Sequence, residues 1–464
     1  MLRRRQFLQH AAAATALSAT PYLTAHALGP NRYELIAAPG VQRLGSADQP
    51  PTDLLLYNSQ SPGPLLTGRK SEMLEVAFTN KLDMPTTIHW HGIRNLNEMD
   101  GVPDLTQAAV APGERFTYRF PLKDAGTFWY HAHNMAWQQV ARGLYGGLVV
   151  YDGDTAADAA DDITLIADDW RLDADYAIDE ASLGSMHDWS HAGRLGNWLT
   201  INGMSQPEIN LPAEGQVRLR IVNAANARPL YFELDAASGG NADFTVIAVD
   251  AAPCAPFPAR TLVLAPAQRI DVLIDAATAT GLNEVTGQEP VRAARFSKDT
   301  AARGAPYLPP ARPWYQRPDT AAAKVIDIHM QGGAMGNLAA AEFQGEEKSL
   351  RELATEHDKV WAFNGIVGGY DHLLADLALG DVAVLRVWND SRWQHAMHLH
   401  GHHFWVQSRE FGETPRWLLR DTYLMQPNEK AELIFVADNP GMWLFHCHML
   451  EHHAAGMGGV IAIA

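Results

Sequence analysis

One phrase recurs three times along this chain of 464 residues. "EVAFTNKL" (75–82), "RLRIVNAA" (218–225) and "VLRVWNDS" (384–391) are each an apolar run that ends in Asn before a turn. Other short runs, such as "RFTYRFPL", "RIDVLIDA" and "AELIFVAD", lie between Gly, Pro and Asn, and helical periodicity is scarce. Strands at this spacing, bounded by turn residues, predict β-sandwich domains. Two or three domains suit the length, and three related sandwiches account for the repeat. "INGM" (201–204) and "FNGI" (363–366) are read as openings of the second and third units. The Pro- and Arg-rich segment 285–320 reads as a linker or long surface loop, and 338–357 is the best helical candidate.

The formal net charge of -17 argues against nucleic acid as a partner, because neutralising phosphates requires a basic surface. The N-terminus combines Arg3, Arg4 and Arg5, an alanine-rich apolar stretch and Ala25-His26-Ala27 as a cleavage site. That pattern is a secretory signal over 1–27, and Arg4-Arg5 before Gln6-Phe7-Leu8 resembles a twin-arginine signal. It predicts bacterial export to the periplasm or beyond, with the twin-arginine machinery as a partner. No later apolar run is long enough for a membrane anchor. Only Cys254 and Cys447 are available for a disulfide, and none forms if Cys447 binds a metal. Cys254, without His or Cys neighbours, reads as a buried structural thiol.

Histidine carries the chemistry. His-x-His occurs at His89/His91, His131/His133, His398/His400, His400/His402 and His446/His448. With 20 histidines, chance supplies roughly one such pair. Residues i and i+2 share a strand face, so each pair aims two imidazoles the same way. Pairs from both ends of the chain can then converge on one site. A lone pair of this kind is usually structural, but four in concert with Cys447 are not. Imidazole alone does not choose a metal, whereas His395, Cys447 and His452 with a distant Met457 make a His₂Cys set with a weak thioether. That arrangement selects copper, and zinc would recruit more cysteines and no Met.

The stretches "HWHG", "HAH", "HAMHLHGHHF" and "HCHMLEHHAAGM" resemble the four copper motifs of the multicopper oxidases, and the likeness runs over nearly the whole mature chain. It implies an all-β protein of three consecutive cupredoxin-like domains, at 28–155, 156–284 and 321–464, holding four copper ions. By motif position, a type 1 copper would take His395, Cys447 and His452 with Met457 axial. A type 2 copper would take His89 and His398. One type 3 copper would take His91, His131 and His448, the other His133, His400 and His446. Asp100 matches the family's acidic residue near the type 2 copper and is a candidate proton relay. Glu451 is a second candidate, or else a hydrogen-bond acceptor. His453 stands where many bacterial members have Glu, and Ala396 where the family often has Pro.

The resemblance further implies a monomeric oxidase that takes single electrons from a small donor and reduces O2 to water. Phenols and aromatic amines are the expected donors, with Cu(I) as the alternative, since the methionines are scattered rather than clustered. A non-enzymatic, cell-division type of member would have lost its ligands, and here every ligand position is filled.

Overall fold

The structure is a computed structural model that describes residues 27–29, 31–153, 162–299, 306, 308–412 and 414–464. The twin-arginine expectation therefore lies outside the described residues, except for Ala27. The three recurring runs are equivalent strands, Met73–Asn80, Gln216–Asn223 and Val382–Asn389. Each pairs in parallel with the strand that opens its unit, Arg32–Gln42, Asp162–Trp170 or Lys324–Gly332. Each pairs antiparallel on its other side with Arg115–Pro121, Arg269–Asp275 or Lys430–Val436. A second sheet completes every unit, and the apolar faces of the two sheets meet in one core. In the first unit Leu35, Val76 and Phe78 meet Trp90, Phe128 and Leu148; in the third, Leu385, Val387 and Phe435 meet Met397, Phe445 and Ile461. Each such side chain contributes about 1.5–3 kcal/mol by leaving water. The fold is thus nearly all β, with three cupredoxin-like domains. Among the described residues no helix is long and apolar enough to cross a membrane.

The recurring Asn has a physical reason. Asn80, Asn223 and Asn389 are fully buried. Each side-chain NH₂ donates to two backbone carbonyls, those of Met84 and Val110, of Arg228 and Leu264, and of Trp393 and Gln426 respectively, all at 2.8–2.9 Å. Each side-chain oxygen accepts from the N–H two residues on, in Leu82, Ala225 or Ser391. A buried loop would otherwise leave these backbone groups unpaired. In the first and third units the loop so fixed leads straight into a His-x-His strand.

"INGM" and "FNGI" do not open units. They are tight turns in which Asn202-Gly203 and Asn364-Gly365 both adopt positive φ, as a two-residue hairpin turn requires. Asn202 and Asn364 bind the opening strand of their own unit through Ile166 N and His329 N, both at 2.7 Å. Asn58 does the same with Ile36 N in the first unit. That third copy was hidden because Ser59 stands where the others have Gly.

Two further expectations are corrected. Within 285–320, Val291–Asp299 is a strand of the second unit, paired with Glu208–Pro212 and Ala279–Glu284. Its buried contacts come from Ala293, Ala294 and Phe296, too little apolar character to stand out among arginines. Within 338–357, Ala340–Phe343 and Glu346–Ser349 form a hairpin around Gln344-Gly345, both at positive φ. Only Leu350–Glu356 is helical, capped by the Ser349 hydroxyl accepting from Glu352 N.

Candidate metal centres

Strand register brings the histidines together. His89 lies opposite His131 where Ile88–His91 pairs with Gly126–Ala132, and His398 lies opposite His446 where His395–Leu399 pairs with Gly441–Cys447. The first and third units meet so that the His91 and His398 rings stack with centroids 3.8 Å apart, and His89 and His400 lie at 3.9 Å. All eight of His89, His91, His131, His133, His398, His400, His446 and His448 are buried. Burial holds His91, His131, His133, His400, His446 and His448 well below the ordinary imidazole range, and His398 at about 3. These rings are neutral, the form that binds metal.

Their hydrogen bonds show which nitrogen is free. A carbonyl can only accept, so a ring nitrogen facing one must carry the proton, and the other nitrogen presents a lone pair. His89 Nδ1 donates to Asp100 O at 2.8 Å and His398 Nδ1 to Asp421 O at 2.9 Å. Their Nε2 atoms are buried without a partner. His446 Nδ1 donates to Cys447 O at 2.9 Å, and His400 Nδ1 faces the Asp100 carboxylate at 2.7 Å. Their two Nε2 lone pairs then point at each other across 3.0 Å. His131 Nδ1 donates to Ala132 O, which aims its Nε2 lone pair at His448 Nε2 across 3.3 Å. The opposed lone pairs of His400 and His446 repel at 3.0 Å unless a cation sits between them. His91 differs, donating through Nε2 to Asp421 and Thr422 and leaving Nδ1 unpartnered. Two groups whose donor atoms could share one ion are His133, His400, His446 and His89, His398, His400.

A second donor set forms around Cys447. Its Sγ lies 3.6 Å from His395 Nδ1 and 3.7 Å from His452 Nδ1, and those nitrogens are 3.0 Å apart. His452 Nε2 donates to His191 O at 2.8 Å. His395 Nε2 lies 2.9 Å from Ser391 Oγ, whose own proton goes to Asn389 Oδ1. Both Nδ1 atoms are therefore lone pairs directed at one sulfur, and a single S–H can satisfy only one of them. Burial pushes the Cys447 thiol up to about 12, so it ionises only when a cation compensates. Met457 is fully buried in the same core, and its carbonyl accepts from Cys447 N. The donor set fits copper. Cys254 is a free thiol, half-buried against the second core and pushed up to about 12 by burial, and no disulfide joins it to Cys447.

Asp100 is fully buried and engages both His89 and His400, with Oδ1 left without a hydrogen-bond partner. Glu451 sits on the short helix Leu450–Ala454, accepts from Asn226 Nδ2 at 2.8 Å, and is raised by burial. The His453 ring packs against His446 at a tilt of 40° with centroids 4.3 Å apart, and with His133 it lines a cavity of about 330 Å³. Sequence reasoning missed Asp421, Ser391 and the His191 carbonyl. Asp421 accepts from His91 and from Arg269 of the second unit, a partner 152 residues away that no local pattern announces.

A neutral imidazole cluster next to a buried thiol and two imidazoles is a ligand field suited to copper, and the likeness to multicopper oxidases and laccases makes the chain a copper oxidoreductase that uses O2. The chain belongs to the multicopper oxidase family, whose description it matches over residues 42–155, 161–282 and 343–464. It is 29% identical to the multicopper oxidase MmcO of Mycobacterium tuberculosis, covering 88% of this chain and 82% of that one. It is 28% identical to Laccase-1 of Botryotinia fuckeliana, over 89% and 79% of the two chains. The crystal structure of a multi-copper oxidase from Pseudomonas thermotolerans superposes with a TM-score of 0.76 at 31% identity, covering 93% of this chain and 99% of that one. A bacterial laccase-like multi-copper oxidase from Ochrobactrum, with oxidase activity towards lignin model compounds, gives 0.78 at 25% identity, over 96% and 100%.

Proposed function

We propose that this protein is a laccase-like oxidase that takes single electrons from phenols or aromatic amines near Cys447 and delivers them to O2 at the histidine cluster. The observation that carries the reading is the chain of consecutive residues His446-Cys447-His448. Cys447 belongs to one donor set and both its neighbours to the other, so covalent bonds join the two. His395, Cys447, His452 and Met457 would hold a type 1 copper. His89 and His398 would hold the type 2 copper, with His91, His131, His448 and His133, His400, His446 on the type 3 pair. When bound, the four coppers supply one-electron acceptance at the first site and four-electron reduction of O2 at the second. Each phenol gives up one electron and its hydroxyl proton, and four donors convert one O2 to two waters.

The protein's own residues would manage the protons. Asp100 offers a buried carboxylate oxygen beside His89 and His400, and His453 lies between a cavity and His446. Glu451, with one oxygen unpartnered, is the candidate on the His452 side. A separate cavity of about 510 Å³, lined by Trp393 and Gln394 just before His395 and by Met449 at the start of the His452 helix, is large enough for an aromatic donor. Export by the twin-arginine route, to the periplasm or beyond, rests on the N-terminal motif, and the monomeric state rests on the family likeness.

Cuprous oxidation is the second reading. It draws on similarity to a Campylobacter jejuni multicopper oxidase described as a metallo-oxidase, at 26% identity, and on Met335, 70% exposed. Met330 and Met397 are fully buried and offer no sulfur to an ion from solvent. The test is oxygen uptake by the copper-loaded, purified protein with a neutral phenol and with Cu(I). A blue protein that consumes one O2 per four phenols supports the proposal; a colourless protein that takes up no O2 sinks it. Faster turnover of Cu(I) than of any phenol would put the second reading first.

A further inference from the structure

We infer that the donor cavity is built for phenols that carry a carboxylate, and that Arg392 selects them; the inference rests on the phenol-oxidase reading above. The cavity walls include Trp393, Gln394, Tyr231, Met449, Arg228 and Arg392. Three links tie it to the electron-accepting site. Met449 caps the helix that carries His452. Trp393 N donates at 3.2 Å to Ser391 Oγ, which holds His395. The Trp393 ring lies 5.1 Å from that of His191, whose carbonyl binds His452. Trp393 is fixed by its indole N–H donating to Ala334 O at 3.0 Å, and with Tyr231 it offers aromatic surface for a phenol.

The charge in this cavity has one sign. Among the described lining residues there is no Asp or Glu, and the charged ones are the two arginines. Arg228 is already spent, because its Nε donates to Asp169 Oδ2 at 2.6 Å and its Nη2 to Gly196 O at 2.7 Å. Arg392 is exposed and makes no ion pair among the described residues. A chain of net charge -17 thus holds, among the described residues, one guanidinium without an ion pair in a cavity whose other walls are largely aromatic and apolar. A guanidinium fork matches a carboxylate in shape and charge. It also makes the cavity a local minimum for anions on a surface that repels them elsewhere. A donor with a phenolic hydroxyl at one end and a carboxylate at the other would place its ring on Trp393 and its anion on Arg392.

The experiment compares syringate with its methyl ester, which differ in that negative charge, for the copper-loaded wild type and for Arg392→Gln and Arg392→Lys. Because the ester changes the intrinsic reactivity of the phenol, the quantity read is the ratio of the two kcat/KM values across variants. Arg392→Gln is expected to lower the preference for syringate by about five- to tenfold, mainly through KM, with Arg392→Lys recovering most of it. Binding of anisate, which has no oxidisable hydroxyl, is followed by tryptophan fluorescence and should weaken in parallel. An unchanged ratio in Arg392→Gln, or anisate binding indifferent to Arg392, overturns the inference. If wild type oxidises neither phenol while anisate binding still depends on Arg392, the oxidase reading fails and the anion site stands.

Discussion

Arg269 of the second sandwich holds Asp421 of the third in a fully buried two-pronged ion pair, Nη1 to Oδ1 at 2.8 Å and Nη2 to Oδ2 at 2.6 Å. Oδ1 also accepts from His91 Nε2 of the first sandwich at 3.1 Å. Burial alone would raise Asp421, but the Arg269 charge together with the hydrogen bonds from Arg269 and His403 keeps the carboxyl well below its usual range. One carboxylate thereby ties three units together at the histidine cluster. Asp421→Ala would strand a buried guanidinium and is expected to cost about 3–5 kcal/mol. The double variant Asp421→Leu/Arg269→Met should lose clearly less than the two single changes summed. Urea denaturation of the copper-free proteins measures this, and simple additivity would show that the pair does not act as a unit.

Asn223 and Asn389 make the same three hydrogen bonds in different units, so Asn→Ala at either should cost a similar amount, about 3 kcal/mol. Their effects on colour should differ. Asn389 holds the loop of Ser391 and Trp393, and Ser391 orients His395. Asn389→Ala is expected to weaken or shift the blue absorption and lower copper affinity, as loss of a ligand's supporting hydrogen bond does by about 10–100-fold. Asn223→Ala should leave the spectrum alone. Identical spectra in both variants would detach this loop from the Cys447 site.

Met457 tests the axial assignment. Replacing a weak thioether ligand by a non-coordinating side chain of similar volume raises the potential of a His₂Cys copper. Met457→Leu is therefore expected to raise the reduction potential of the blue copper, with the protein still blue and folded. A redox titration with the same midpoint as wild type removes Met457 from the axial role.

Asp168 gives the protein a pH dependence away from the metals. Burial, with Asp169 beside it, lifts this carboxyl to about 8, although the Tyr145 hydroxyl donates to it at 2.6 Å. Between the ordinary carboxylate value and about 8 the folded state holds a proton that the unfolded chain has released. Its contribution is thus complete at acid pH and is lost as pH rises towards 8, by at most about 1.4 kcal/mol per pH unit. Asp168→Asn keeps an oxygen to accept from Tyr145 and removes the proton, so its advantage over wild type should grow as pH rises. Parallel stability curves for the two proteins between about pH 5 and pH 8 would refute this sign.

The candidate metal-binding side chains could be named from the sequence because the pattern that marks them is local. His446, Cys447 and His448 are consecutive, His89 and His91 share a strand face by period two, and a sulfur among imidazoles narrows the metal. The threefold strand phrase was legible for the same reason, since a buried Asn closing a loop leaves the same short trace each time. Val291–Asp299 was misread because two alanines and one phenylalanine suffice for an edge of the second core. The hairpin at Gln344-Gly345 was misread because helix-forming residues on both sides obscured two positive φ angles.

By itself, then, the sequence determined the all-β class, the three units, the soft donor set and the family likeness, because strand periodicity and side-chain chemistry are written residue by residue. Tertiary structure alone decided which nitrogen of imidazoles such as His89 and His398 carries a proton, that Asp421 and not only Asp100 supports the cluster, and that Arg392, without an ion pair among the described residues, lines a cavity with Gln394 and Met449. Those features depend on carbonyls, carboxylates and a guanidinium brought from other sandwiches, and no spacing along one chain can specify such contacts before the three cores have packed.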